Sequence, residues 1–202
     1  MNEKFFDLKK EKQDRMINAS LKVFALNGYR HASTDDIVAE AGISKGLLFH
    51  YFVNKLGLYT FLYDYSVRFM LLELSGCMGG EEDDFFELVK KRENAKMQVL
   101  KNYPYMQLFL DSIRYENVKE ALYATEEKRN ALPEAEEAFM KRADLTRFAP
   151  GVDVARLNAV IGYTLRGLME DHFLENSFHP DMMNEEVKAY LDMLKKMAYR
   201  AL

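Results

Sequence analysis

Between residues 8 and 28, apolar positions recur at three- and four-residue steps (Met16, Ile17, Leu21, Phe24 and Ala25), with Lys9, Lys10, Lys12, Arg15 and Lys22 on the opposite side. This spacing predicts an amphipathic helix. It closes at Asn27-Gly28, where glycine can adopt the left-handed conformation that ends helices. Two short helices are predicted next, over 34–41 and 45–52. Thr34 is the expected N-cap of the first, Asp35 and Asp36 complement its positive end, and Gly42 stops it. Ser44 is the expected N-cap of the second. Asn54 then caps a longer helix from Lys55 to about Ser75.

Around residues 75–84 the periodicity gives way to Ser-Gly-Cys-Met-Gly-Gly-Glu-Glu-Asp-Asp, which predicts an exposed, solvated acidic loop. Helix resumes over 85–100. Pro104 suits the first turn of a further helix running to about residue 117. Residues 118–147 are charged and helix-rich, with Pro133 as a break, and Ala149-Pro150-Gly151 forms a turn. Strong helices are predicted over 153–176 and 182–202. The first carries one stripe of Val154, Leu157, Ile161, Leu165, Leu168 and Met169, and another of Val160, Tyr163, Thr164, Gly167 and Phe173. A helix apolar on two faces is buried on two faces. The last helix has a similar stripe of Val187, Tyr190, Leu191, Leu194, Met197, Ala198 and Leu202. Paired about a two-fold axis, the two helices would form a four-helix interface. The expected contact residues are Leu157, Ile161, Leu165, Leu168, His172, Tyr190, Leu191, Leu194 and Met197.

Composition supports an all-α fold of about nine helices. Of the 202 residues 49% are hydrophobic, and only 10 Gly and 4 Pro interrupt them. The single cysteine, Cys77, excludes an intrachain disulfide. Net charge is −4, which by itself argues against a nucleic-acid partner. Its distribution changes that picture: residues 1–68 carry ten Lys/Arg and eight Asp/Glu, the remainder 18 and 24. A mildly basic head on an acidic body fits a protein that meets phosphate at one end. The N-terminus lacks an apolar leader core, and no apolar run reaches the ~18 residues of a membrane helix, so a cytoplasmic chain with no membrane partner is expected. His31, His50, His172 and His179 form no i, i+4 pair, and there is no Gly-rich phosphate loop or serine elbow. No metal, cofactor or catalytic residue is expected, and the chain is not read as an enzyme.

The informative stretch is 34–51. Two short helices meeting at Ala41-Gly42-Ile43-Ser44 make a helix-turn-helix, with Ile37, Ala41, Ile43, Leu47 and Leu48 packing them together. Lys45, Gly46, His50 and Tyr51 fall on or near the outer side of the second helix, the one that enters the major groove in such units. Ser44, Thr34 and Tyr51 can donate to phosphate, and Lys45 and Lys55 bracket the helix with positive charge.

Residues 8–63 closely resemble the N-terminal domain of the TetR family of repressors, through Asn27-Gly28-Tyr29 and the nearly unbroken run from Thr34 to Lys55. The resemblance implies an N-terminal DNA-binding domain over 1–55 and a C-terminal helical ligand-binding and dimerisation domain over 56–202. It also implies a homodimeric repressor that binds a palindromic operator and is released by a small apolar or aromatic effector. Ser33, Thr34, Ser44, Lys45, Gly46, Leu48, His50, Tyr51 and Lys55 are the DNA-contact residues it suggests, Leu48 at a base- or methyl-contacting position and Lys55 on phosphate. Gly57 departs from the family pattern. It is expected to cost about 1 kcal/mol of helix stability and to have no functional role. Tyr103, Met106, Phe109, Leu110, Ile113, Arg114, Tyr123, Tyr163, Arg166 and Glu170 are the candidate effector-pocket residues. The rival reading is a helical effector-binding or protein-interaction module without DNA binding; the intact set Thr34, Lys45, Tyr51 and Lys55 favours DNA.

Overall fold

The structure, a computed structural model, describes residues 3–200. Leu202, the last member of the C-terminal stripe, lies outside them. Among the described residues the regular structure is helical apart from one isolated antiparallel bridge, Phe148 to Tyr199. A 3-10 turn, Glu3–Asp7, precedes α1 (Lys10–His31), α2 (Thr34–Ala41), α3 (Lys45–Phe52) and α4 (Lys55–Gly76). Then follow α5 (Phe85–Asn102), α6 (Met106–Ser112), α7 (Lys119–Thr125), α8 (Ala131–Met140), α9 (Val154–Leu174) and α10 (Pro180–Ala198). No helix among them is long and apolar enough to cross a membrane.

Several boundaries differ from expectation for local reasons. Pro104 lies in a turn ahead of α6, whose regular part is confined to Met106–Ser112. Pro133 does not break a helix: it sits in the first turn of α8, where its missing N–H costs nothing. Pro180 likewise opens α10, two residues earlier than expected.

Two compact units divide the chain. Among the described residues, unit 1 takes in those up to 72 and 99–133, and unit 2 takes in 73–98 and those from 134 on. The chain crosses between them within α4, within α5 and within α8, and the 55/56 boundary suggested by the sequence falls inside unit 1.

Unit 1 is built on aromatic packing. Phe24, Tyr59 and Phe109 meet at ring separations of 5.1, 5.3 and 6.2 Å and are buried. The N-terminal 3-10 turn inserts Phe5 between Phe52 (5.0 Å) and Phe61 (5.4 Å), with no exposure left on it. Fully burying a Phe contributes roughly 1.5–3 kcal/mol, so this segment belongs to the core of the head. Tyr103 is anchored through its hydroxyl, which donates to Asp14 Oδ1 (2.7 Å), accepts from Lys10 (2.7 Å) and meets the Tyr65 hydroxyl (2.8 Å).

In unit 2, α9 packs on α10 with Ile161, Leu165, Met169, Met183, Val187 and Leu191 buried. The loop before α5 is exposed over residues 78–81, in line with the sequence reading, but its acidic end is also tied down by cations that the reading did not foresee. Arg142 donates to the carbonyls of Met78, Gly80 and Glu82, and Arg147 pairs with Asp83 and Asp84. Lys195 of α10 bridges Asp84 and Glu87, each at 3.0 Å. Asp84 is also the N-cap of α5, accepting from the N–H groups of Phe86 and Glu87. Sequence spacing could not reveal this because the cations arrive from sixty to more than a hundred residues away.

Candidate nucleic-acid interface

Each short helix of the head starts at a side-chain cap. Ser33, not Thr34, is the N-cap of α2: its hydroxyl accepts from the N–H groups of Asp35 (3.1 Å) and Asp36 (3.4 Å), and Thr34 is already the first helical residue. Gly42 ends α2 in the left-handed region (φ 64°, ψ 44°), and its N–H reaches back to the last carbonyls. Ser44 caps α3 as expected, accepting from Leu47 N–H at 3.2 Å. Each cap is worth about 1 kcal/mol. Together they fix the angle at which α3 leaves α2.

The phase of α3 sorts its side chains. Ser44, Lys45, Gly46 and His50 are exposed, Leu47 and Phe49 half-buried, and Leu48, Tyr51 and Phe52 buried. Leu48 has no exposure and cannot meet a base edge; its assignment as a DNA contact is corrected here to a core residue of the head. Leu47, half-buried, is the leucine of the pair that keeps some exposure. The signal was available in the sequence: Leu48, Tyr51 and Phe52 share an inward phase of α3, and Leu47 falls between it and the Lys45–His50 side. Tyr51 is 7% exposed, its ring wedged against Phe5 at 5.7 Å, so most of it supports the helix rather than extending from it.

The cations of the head have local partners. Lys45 pairs with Asp35 (2.8 Å) and Lys22 with Glu40 (2.7 Å), both well exposed. Exposed pairs of this kind contribute about 1 kcal/mol or less, so a phosphate can displace the carboxylate cheaply. Lys55 is held differently. Its ammonium lies 4.7 Å over the Tyr29 ring and donates to the Arg30 carbonyl at 3.3 Å. Burial there pushes its pKa down despite the Glu116 and Glu120 carboxylates nearby.

The exit from α3 is strained. Val53 adopts φ 68°, ψ −54°, and Asn54 N–H closes a γ-turn on the Phe52 carbonyl at 2.7 Å. Positive φ in a β-branched residue costs of order 1–3 kcal/mol. Asn54 Oδ1 then accepts from Gly57 N–H at 2.8 Å to open α4, as its expected cap role requires. A β-carbon on Gly57 would overlap the Phe52 carbonyl oxygen, which corrects the expectation that this glycine does nothing. On the same side, a groove of about 820 Å³ runs between the start of α4 and the end of α7. Phe61, Tyr63, Leu56 and Tyr123 form its apolar part, with Asp64 and Lys128 at the polar rim.

Of the expected effector residues, Tyr103, Met106, Phe109 and Leu110 are packed in the core of unit 1, and Ile113 is half-buried. Arg114 and Tyr123 are exposed, and among these residues only Tyr123 lines the groove. Tyr163, Arg166 and Glu170 belong to unit 2, with Arg166 5.8 Å from the exposed Tyr163 ring. The expected dimer stripe is also rephased. Ile161, Leu165 and Leu191 point into unit 2, each 9% exposed or less. Leu157, Leu168 and Leu194 are half-buried, and His172 bonds Glu186 (2.9 Å) and Ser177 (3.0 Å) within the same unit. Exposed apolar side chains include Val160 and Tyr163 on α9, and Tyr190, Met193 and Met197 on α10, the last 73% exposed.

Residues 16–60 match the family model of the bacterial regulatory proteins, tetR family. No curated protein matches the sequence. Among solved structures the chain is similar to the TetR family transcriptional regulator PfmR from Thermus thermophilus (22% identity, 90% of this chain and 97% of that one, TM-score 0.59). It is also similar to a TetR family transcriptional regulator from Chloroflexus aurantiacus (20% identity, 99% of both chains, TM-score 0.60). A third is the fatty acid degradation regulator FadR from Bacillus halodurans (21% identity, 90% and 97%, TM-score 0.59). The chain has the all-α fold of these regulators.

Proposed function

We propose that this chain, with a head matching the tetR family and the fold of its transcriptional regulators, is a homodimeric repressor that binds a palindromic operator through α3. The observation that carries this reading is the sorting of α3. A buried edge of Leu48, Tyr51 and Phe52 anchors the helix, while its outer side offers Lys45, Gly46 and His50, with half-buried Leu47 at the margin. Lys45 gives phosphate or guanine a cation, Gly46 allows close backbone approach, and Leu47 suits a thymine methyl. The α2 and α3 N-termini add oriented N–H groups for phosphate.

A single α3 reads only a half-site. Two copies presented about 34–36 Å apart would match one turn of B-DNA. The exposure of Val160 and Tyr163 on α9 and of Tyr190, Met193 and Met197 on α10 supports pairing through these helices, because exposed apolar side chains gain by meeting a second copy. The groove of about 820 Å³ beside the α3 exit supports release by a small apolar or aromatic effector. Such a ligand shifts DNA affinity only by its differential affinity for the two states, each 1.4 kcal/mol being about tenfold.

The test is binding of the purified protein to DNA upstream of its own gene, by fluorescence anisotropy at two salt concentrations, beside Lys45→Ala and His50→Ala. Affinity should fall with salt, and both variants should bind more weakly. No salt-dependent complex, or full-strength binding by both variants, overturns the reading.

A further inference from the structure

Gly28 interrupts α1 with φ 66° and ψ 175°, and one more turn of helix follows it. The break separates Tyr29 N–H from the carbonyl it would meet in a continuous helix, and a backbone donor left unpaired away from water is costly. Its acceptor comes from far along the chain. Glu116, in the loop between α6 and α7, takes the Tyr29 N–H on Oε2 at 2.8 Å. Its other oxygen, Oε1, accepts from the N–H groups of Asn117 and Val118, each at 2.9 Å. One carboxylate thus holds its own loop and the end of α1 together. Hydrogen bonds to an ionised acceptor are roughly twice as strong as neutral ones.

What it holds is the seat of Lys55. The ammonium rests over the Tyr29 ring at 4.7 Å and donates to the carbonyl of Arg30, the next residue. The Tyr29 ring is fixed in turn, edge-on to Tyr59 at 5.1 Å. Without Glu116 the turn after Gly28 would lose its cap, and Lys55 would lose the fixed surface from which it projects.

We propose that Glu116 is a positioning residue for DNA binding: by capping the broken end of α1 it fixes the Tyr29–Arg30 turn that aims Lys55 at a phosphate. The role rests on the DNA-binding reading above. It also gives the α6–α7 loop a direct mechanical hold on one phosphate contact of the head.

Glutamine at 116 is a sharp probe. It keeps the size of glutamate but offers one acceptor oxygen, so its NH₂ must face an N–H donor on one side or the other. Glu116→Gln, Lys55→Ala and the double variant are compared in the full chain by DNA anisotropy across a salt series, with thermal unfolding to verify folding. Glu116→Gln should weaken binding about tenfold and flatten the salt dependence by about one phosphate contact per subunit, as Lys55→Ala does. The double variant should bind no more weakly than Lys55→Ala alone, since the glutamate acts through the lysine. A purely structural role would instead give effects that add in full, and that result, or undiminished binding by Glu116→Gln, overturns the proposal while leaving the DNA reading intact. Absence of any salt-dependent complex with the wild-type protein overturns the DNA reading, and the positioning role with it. Amide hydrogen exchange on the wild-type protein serves if Glu116→Gln does not fold: Tyr29 N–H should be protected and become more so on DNA, and a freely exchanging Tyr29 amide overturns the clasp.

Discussion

The carbonyl oxygen of Phe52 lies so close to Gly57 that no side chain fits between them. Phe52 ends α3 and Gly57 stands in the first turn of α4, so the contact sets how the two helices join. Glycine in an exposed helix normally gains about 0.5–1 kcal/mol on replacement by alanine. Here Gly57→Ala should instead lose about 1–3 kcal/mol through overpacking against backbone. Val53→Gly should act in the opposite sense, stabilising by about 1 kcal/mol, because glycine carries φ 68° without strain. Urea unfolding midpoints check both. A neutral Gly57→Ala would mean that the junction relaxes without cost.

Leu48 and Lys45 should separate stability from binding. Leu48→Ala empties a fully buried site and should cost about 2–5 kcal/mol of unfolding free energy. Lys45→Ala removes an exposed side chain whose pairing with Asp35 is weak, so its unfolding midpoint should stay within about 0.5 kcal/mol of wild type. Any effect of Lys45→Ala on DNA is then an effect on contact. A large loss of stability for Lys45→Ala would contradict the exposure of its side chain.

For the α9–α10 face, Met197→Glu and Tyr163→Glu place charge on exposed apolar positions that support no core within the subunit. Both variants should fold, and dimer dissociation should rise by about a hundredfold or more in sedimentation equilibrium. Leu191→Ala, on the inward phase of α10, should chiefly lower stability. An unchanged association for both glutamate variants would move the interface to another surface.

Acid stability of unit 2 should depend on Lys195. Burial opposes charge on Asp84 and Glu87, yet hydrogen bonds from Lys195, aided by α5 N–H groups at Asp84 and by Lys90 at Glu87, hold both carboxyls below their ordinary range. A carboxyl with a depressed folded pKa adds stability that is complete above its unfolded value, about 4, and is lost as pH falls through the folded one. Lys195→Met should therefore be less stable than wild type at neutral pH, and the two curves should converge as pH falls through the depressed folded values. Parallel pH profiles would show that the lysine does not carry the effect.

The head was legible because its determinants are local. Ser44, Gly42 and Asn54 act within three or four residues of their own position, and capping and left-handed glycine follow from backbone geometry that any helix end obeys. The cap of α2 was misread by one residue, since Ser33 and Thr34 are chemically equivalent candidates and only the backbone angle distinguishes them. Leu48 was misread for a different reason. A residue's likeness to a family position does not state its rotation about the helix, and one residue of phase, about 100°, moves a side chain from groove to core.

Residue order alone determined that this chain is all helical, where the helix-turn-helix lies, and that α9 is apolar on two faces. These are consequences of composition, period and caps. Only the tertiary structure decided which of those faces turns inward, that Arg142, Arg147 and Lys195 bind down the acidic loop, that Gly57 is required against Phe52, and that Glu116 completes the broken end of α1. Each of these joins groups through space, often across sixty residues or more, and such meetings depend on the packed positions of whole helices, which no local spacing encodes.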